Sequence, residues 1–193
     1  HRPDPETPLE ETVRALDGIV KAGKALYIGI SNYNKEQTIA AAEMFSELGT
    51  PFIINQRRYS MLSRDIEHEG LKDYAAKNGI GIITYCPLAQ GLLTDRYLKG
   101  IPEDSRIRTD GRFLKENMVD EATLSKVRAL NGIAKDRGQT LAQMALSWVL
   151  HNKAVATVLI GASRPAQIVE NAECINKLDF NDDEIREIEE VLK

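Results

Sequence analysis

Apolar positions along this chain alternate between two periods. Leu9, Val13, Leu16 and Val20 recur at helical spacing, which places them on one face of a helix. The run from Ala25 to Ile30 is short and nearly continuous, as in a strand buried on both faces. The alternation then repeats. Ile39, Ala42 and Leu48 predict a helix, Phe52 to Asn55 a strand, Leu71, Tyr74 and Ala75 a helix, and Ile80 to Tyr85 a strand. Helices over Leu124–Arg137 and Leu141–Leu150 precede a last strand at Thr157–Ile160. Ile168, Ala172 and Ile175 mark one inward helix face, and Ile185, Ile188 and Leu192 another.

Polar residues punctuate these segments. Thr7, Pro8 and Glu10 read as N-cap, N1 and N3 of the first helix, and Asn34 with Gln37 and Asn181 with Glu184 form the same box. Ser163 is the expected cap of the helix after the last strand. Gly23, Gly49, Gly79 and Gly138 supply stops. The polar stretch from Thr94 to about Asp120 is too long for a plain connector and suits a binding loop. Four strands, each followed by at least one helix, argue for an α/β fold with a parallel sheet, either doubly wound or part of a barrel. A full eight-unit barrel takes roughly 250 residues, and half of one leaves two open sheet edges.

Composition narrows the picture. The 193 residues suit one domain. A net charge of −4 gives nucleic acid and anionic membranes no purchase. No apolar run approaches the ~20 residues of a membrane span, and His1-Arg2-Pro3-Asp4-Pro5 is no signal peptide. The two cysteines, Cys86 and Cys174, make no disulfide framework, so a reducing cytoplasm is the expectation. The chain opens on His1 rather than methionine, which leads to the expectation that it starts part-way through a longer protein.

Candidate chemistry gathers at the strand ends. Ser31, Asn32 and Gln56 offer groups that can bind a carboxamide as donors and acceptors, though turns and caps use the same residue types. Tyr85 suits stacking on a flat heteroaromatic ring, or the core. Gly161-Ala162-Ser163-Arg164 before a helix suits an anion, or an ordinary serine cap. Arg96 and Arg106 lie in the polar stretch, where an arginine clamps an anion or stays solvated. His1 is the histidine with a plausible chemical role. No cluster has metal-ligand spacing, so no metal is expected, and neither G-x-G-x-x-G nor a P-loop occurs.

Taken jointly, His1-Arg2-Pro3-Asp4-Pro5, Gly29-Ile30-Ser31-Asn32, Asn55-Gln56, Pro87 to Thr94, Gly100 to Arg106 and Gly161 to Arg164 with Glu170-Asn171 resemble the aldo-keto reductase superfamily across the whole chain. The branch is that of bacterial L-glyceraldehyde 3-phosphate reductases and potassium-channel β subunits. The resemblance implies the C-terminal half of a (β/α)8 TIM barrel over residues 1–193, without the N-terminal half. It implies NADPH as cofactor and a small-molecule carbonyl substrate, aldehyde or ketone, reduced to an alcohol. The other reading it leaves is an NADPH-holding channel-β-like or redox-sensing subunit that turns over slowly. His1 matches the histidine of the catalytic tetrad, whose Asp, Tyr and Lys would precede residue 1. Ser31, Asn32 and Gln56 would hold the carboxamide, with Tyr85 stacked on the nicotinamide. Cys86, Pro87, Leu88 and Gly91, with Arg96 and Arg106, would line the phosphates. Gly161, Ser163, Arg164 and Gln167 would meet the 2′-phosphate, and Glu170 and Asn171 the adenine. Cys86 stands where many relatives carry serine. Copies are expected to associate through the open sheet edges.

Overall fold

Chain order and spatial order coincide in the sheet. The computed structural model describes residues 1–98, 100–103, 108 and 119–193. It places β1 (Ile28–Ser31), β2 (Phe52–Arg58), β3 (Gly81–Tyr85) and β4 (Val155–Leu159) in one four-stranded sheet of order β1-β2-β3-β4. All three pairings are parallel. A doubly wound sheet reverses its order at a switch point. This sheet does not reverse, so its order is that of a barrel segment. Two compact units emerge: residues 1–59, 63–85 and 152–159 hold the sheet, and residues 60–62, 86–151 and 160–193 form the other.

In the sheet unit, α1 (Leu9–Lys21), α2 (Lys35–Glu47), α3 (Asp65–His68) and α4 (Leu71–Lys77) follow the predicted alternation, apart from the short α3, whose single turn carries no periodic signal. Val13 of α1 and Ala41 and Phe45 of α2 cluster with Ile28 and Ile30. Strand alternation sends Ile30, Asn55, Ile82 and Val155 to this covered face, where they pair across the sheet and are buried. The next row, Gly29–Ile54–Gly81, takes the opposite face. Ile54 fills the space above both glycines: a Cβ at Gly29 would lie 2.5 Å from Ile54 Cγ1, and one at Gly81 3.4 Å from Ile54 Cγ2. That second face is partly open, and Leu159 is exposed on it.

Several boundaries differ from expectation. Thr7 does not cap α1; its hydroxyl donates to Asp4 Oδ2 at 2.8 Å, and Pro8 takes the N-cap position. β1 starts at Ile28 because its ladder begins where Ile28 N donates to Pro51 O, 2.9 Å, which leaves Leu26 and Tyr27 exposed. β2 runs on to Arg58 because Arg57 and Arg58 pair with Thr84 and Tyr85. Beyond β2, the Tyr59 hydroxyl donates to Glu67, joined by Arg64 Nε at 2.7 Å and Lys72 Nζ at 3.0 Å. Burial pushes the Glu67 carboxyl up, but Tyr59, Lys72 and Arg64 together outweigh it and hold the group below the usual glutamate value.

The second unit packs α5 (Glu121–Asp136), α6 (Leu141–His151), α7 (Pro165–Ala172) and α8 (Asp182–Leu192). Leu130 and Ile133 of α5, Leu141 and Met144 of α6 and Ile188 of α8 are buried. Arg137 ties the unit together. Its Nη1 lies 2.5 Å from Glu184 Oε2, its Nη2 donates to Asp179 O at 3.1 Å, and its guanidinium sits 3.7 Å from the Phe180 ring centroid. Glu184 also closes the predicted capping box with Asn181. The apolar face expected to turn inward does not: Ile168 and Ala172 on α7, and Ile175 in the turn that follows it, are exposed.

Candidate functional site

Parallel strands end on one side of their sheet, so the carboxyl ends of β1, β2 and β3 bring Ser31, Gln56 and Tyr85 to a common rim. Ser31 pairs with Gln56 in register. Asn32, just past β1, has φ 65°, a left-handed conformation that asparagine tolerates better than most residues. Its backbone N–H donates to Gln56 O at 3.0 Å. The side chains then form one chain of hydrogen bonds. Ser31 Oγ donates to Gln56 O at 3.1 Å, Asn32 Nδ2 to Ser31 Oγ at 3.0 Å and to His1 O at 3.3 Å, and Tyr85 Oη to Asn32 Oδ1 at 2.7 Å. Ser31, Asn32 and Tyr85 are thus joined through their side chains, and Gln56 and His1 through their backbone carbonyls.

Asn55, neighbour to Gln56 in the motif, belongs elsewhere. It is fully buried on the helix-covered face, where its amide donates to Tyr33 O at 3.0 Å and Thr38 Oγ1 at 2.9 Å. Those bonds tie the start of α2 to β2.

In the other unit, the segment after β3 is a tight loop. Cys86, Ala89 and Gln90 have φ of 55°, 47° and 60°, and Gly91 has 100°. Left-handed conformations cost non-glycine residues roughly 1–2 kcal/mol each, and such strain collects at ligand-binding segments. Successive N–H groups in turns of this kind form a concavity suited to anions. Pro87 is buried, Leu88 half-buried, and Leu88 O accepts from Gly91 N and Leu93 N at 2.9 and 3.2 Å. Thr94 Oγ1 caps the next turn by accepting from Arg96 N at 3.3 Å, and the Arg96 side is exposed. Arg106 lies outside the described residues.

At α7, Arg164 rather than Ser163 is the N-cap. Ser163 N, Ser163 Oγ and Arg164 N all donate to Gln167 Oε1, at 2.8, 3.2 and 3.3 Å. Gln167 thus satisfies, as a neutral acceptor, donors that an anion would take. Gly161, Ser163 and Arg164 are exposed, Glu170 is exposed with its carbonyl accepting from Gln143 Nε2 at 2.9 Å, and Asn171 is buried. Among the described residues no group of His, Cys, Asp and Glu could hold a metal ion. Burial pushes the Cys174 thiol up.

The family model for the aldo/keto reductase family matches residues 1–193. The chain belongs to that family. L-glyceraldehyde 3-phosphate reductase of Escherichia coli (strain K12) is 47% identical over 193 residues, covering 98% of this chain and 56% of the relative. A probable voltage-gated potassium channel subunit beta of Arabidopsis thaliana is 40% identical over 183 residues, covering 91% and 55%. The chain spans about half the length of these relatives. Among solved structures, the glycerol dehydrogenase of Gluconobacter oxydans superposes with a TM-score of 0.79 at 28% identity, covering 100% of this chain and 56% of the other. A thermostable aldo-keto reductase in complex with epalrestat gives 0.73 at 27%, covering 99% and 57%. The fold is part of the aldo-keto reductase barrel.

Proposed function

We propose that this chain is the C-terminal half of an aldo-keto reductase barrel, and that the complete barrel reduces aldehydes or ketones with NADPH. Glyceraldehyde 3-phosphate and similar phosphorylated carbonyls are the first substrates to try, given the 47% identity to the E. coli enzyme. The observation that carries the reading is the hydrogen-bonded group on one rim of a parallel sheet in which Asn32 joins His1 O, Ser31 Oγ and Tyr85 Oη, and Ser31 Oγ joins Gln56 O. Such a group suits a carboxamide, and the left-handed loop after β3 suits phosphates.

The residues present fit the cofactor. Ser31, Asn32 and Gln56 would hold its carboxamide, and the Tyr85 ring would lie against the nicotinamide. Backbone groups from Cys86 to Gly91, with Arg96, would meet the pyrophosphate, and Ser163, Arg164 and Gln167 the 2′-phosphate, with Glu170 and Asn171 near the adenine. When bound, NADPH supplies the hydride. His1 would orient the substrate carbonyl. The Tyr85 hydroxyl donates to Asn32 Oδ1, and no acid role is assigned to it. The proton for the nascent alkoxide would come from a tyrosine preceding this chain, set by an aspartate and a lysine there. No described helix is long and apolar enough to cross a membrane.

The second reading, an NADPH-holding channel-β-like subunit with slow turnover, is favoured by the 40% identity to the Arabidopsis protein. One experiment separates the two: steady-state oxidation of NADPH by the full-length protein with D,L-glyceraldehyde 3-phosphate. Turnover at about 1 per second or faster is the ordinary enzyme range and supports the reductase. A single stoichiometric oxidation that then stops supports the subunit. Absence of NADPH binding rejects both.

A further inference from the structure

Two adjacent arginines end β2, and strand alternation sends them to opposite faces. Arg57 shares the helix-covered face with Asn55. Its guanidinium donates to Tyr33 O and lies 2.8 Å from Glu69 Oε1, and its side chain is only 12% exposed. That charge is neutralised inside the fold. Arg58 takes the second face, two positions beyond Gln56 and in register with Tyr85. Neighbouring strands lie about 4.8 Å apart, so the Arg58 backbone stands one strand spacing from that of Tyr85. The rows on this face are Gly29–Ile54–Gly81, Ser31–Gln56–Ile83–Thr157 and Arg58–Tyr85–Leu159. Within them Arg58 is the one charged side chain.

Unlike Arg57, Arg58 is weakly held. Its side chain is 53% exposed, and among the described residues its partner is Asp65 Oδ2, 3.4 Å from Nη2 and on a side chain itself 66% exposed. An exposed pair at that distance contributes little to stability, and an incoming anion returns the Asp65 carboxylate to water. We infer that Arg58 holds the anionic end of the substrate and selects short-chain aldehydes carrying a phosphate over their neutral counterparts. The inference rests on the proposal that the nicotinamide lies against Tyr85 in the complete barrel, which places the reacting carbonyl beside the same row. In glyceraldehyde 3-phosphate, two carbons and an ester oxygen separate the phosphorus from the carbonyl carbon, so one end can meet the cofactor while the other meets the neighbouring strand. The planar guanidinium fork matches two phosphate oxygens at once, which a lysine ammonium does not.

The test uses the full-length protein and compares kcat/KM for D,L-glyceraldehyde 3-phosphate with that for D,L-glyceraldehyde. The parent is expected to prefer the phosphorylated aldehyde by about 100-fold, and Arg58→Gln to shrink that preference to under about tenfold. Arg58→Lys keeps the charge without the fork and is expected to fall between the two. A second readout needs no turnover: glycerol 3-phosphate, the reduction product, is titrated into the NADP⁺ complex by fluorescence, and its affinity should weaken in the same order. A preference and a glycerol 3-phosphate affinity that Arg58→Gln leaves as in the parent, or a parent that takes both aldehydes alike, would overturn the inference while leaving the reductase reading intact. A full-length protein that binds no NADPH would overturn both.

Discussion

Arg164 and Gln167 would act on the proposed 2′-phosphate in different ways. Gln167 Oε1 holds the Ser163 and Arg164 amides, while the exposed Arg164 guanidinium is available to a doubly charged phosphate. A charge-assisted hydrogen bond is worth roughly 1.5–3 kcal/mol. Arg164→Ala in the full-length protein is therefore expected to weaken NADPH about 10- to 100-fold and to leave NADH nearly unchanged. Equal losses for both in a titration would reject the 2′-phosphate assignment. Arg137 is the structural counterpart. Its guanidinium is buried against Glu184, Asp179 O and the Phe180 ring, and removing one partner of a buried pair costs about 3 kcal/mol or more. Arg137→Ala is expected to lower the unfolding free energy by that amount without altering NADPH affinity; an unfolding free energy within about 0.5 kcal/mol of the parent's, roughly that of a neutral surface change, would show the hub to be dispensable. At this scale the sequence was legible in its residue types, since Ser31, Asn32, Gln56, Tyr85 and His1 do share a rim. It did not disclose how they are joined. The Tyr85–Asn32 bond spans 53 positions, and left-handed Cys86, Ala89 and Gln90 carry no glycine to announce them.

Elements were easier to read than their ends. Amphipathic helices and apolar strands are written in local periodicity, so each predicted helix and strand exists. Their termini are set by partners far along the chain: β1 waits for Pro51, and β2 continues as long as β3 accompanies it. Ile168 and Ile175 were expected inside because periodicity shows which face is apolar, not whether another element covers it. Two element-level outcomes follow from particular contacts. Gly29→Ala places a methyl against Ile54 Cγ1 and is expected to cost about 1–3 kcal/mol by overpacking; the double variant with Ile54→Val should recover part of it, and no recovery would mean the strain lies elsewhere. In the β2–α4 connection, the lowered Glu67 value means the folded state binds its proton less readily than the unfolded state. The resulting stability is present above the usual glutamate range and is lost as pH falls through the lowered folded value. Unfolding free energy followed from pH 7 into acid should show this limb in the parent, and Glu67→Gln should flatten it. An identical acid limb in both would remove Glu67 as its source.

Among the described residues, the two outer strands of the sheet, β1 and β4, have neighbours on one side only. If the proposed half-barrel reading holds, the 193-residue chain by itself lacks the proton donor, and a catalytic group misplaced by about 1 Å already loses about 100-fold in rate. Purified residues 1–193 are expected to show no measurable NADPH-dependent carbonyl reduction and to self-associate through the open edges in sedimentation. Turnover by this chain, with full-length reductase excluded by mass spectrometry, would overturn both the reading and the outside source of the proton.

Because strand order follows chain order, every ladder in the sheet lies between Ile28 and Leu159. A peptide break ahead of β1 would cut none of them. If the proposed half-barrel reading holds, the polypeptide is suited to reassembly in trans: co-expressed with the proposed N-terminal half as a separate chain, it should dock edge to edge and the pair should show NADPH-dependent carbonyl reduction. That would make the junction before His1 a natural split point for a two-fragment reporter, one whose signal depends only on whether the two pieces have been brought together.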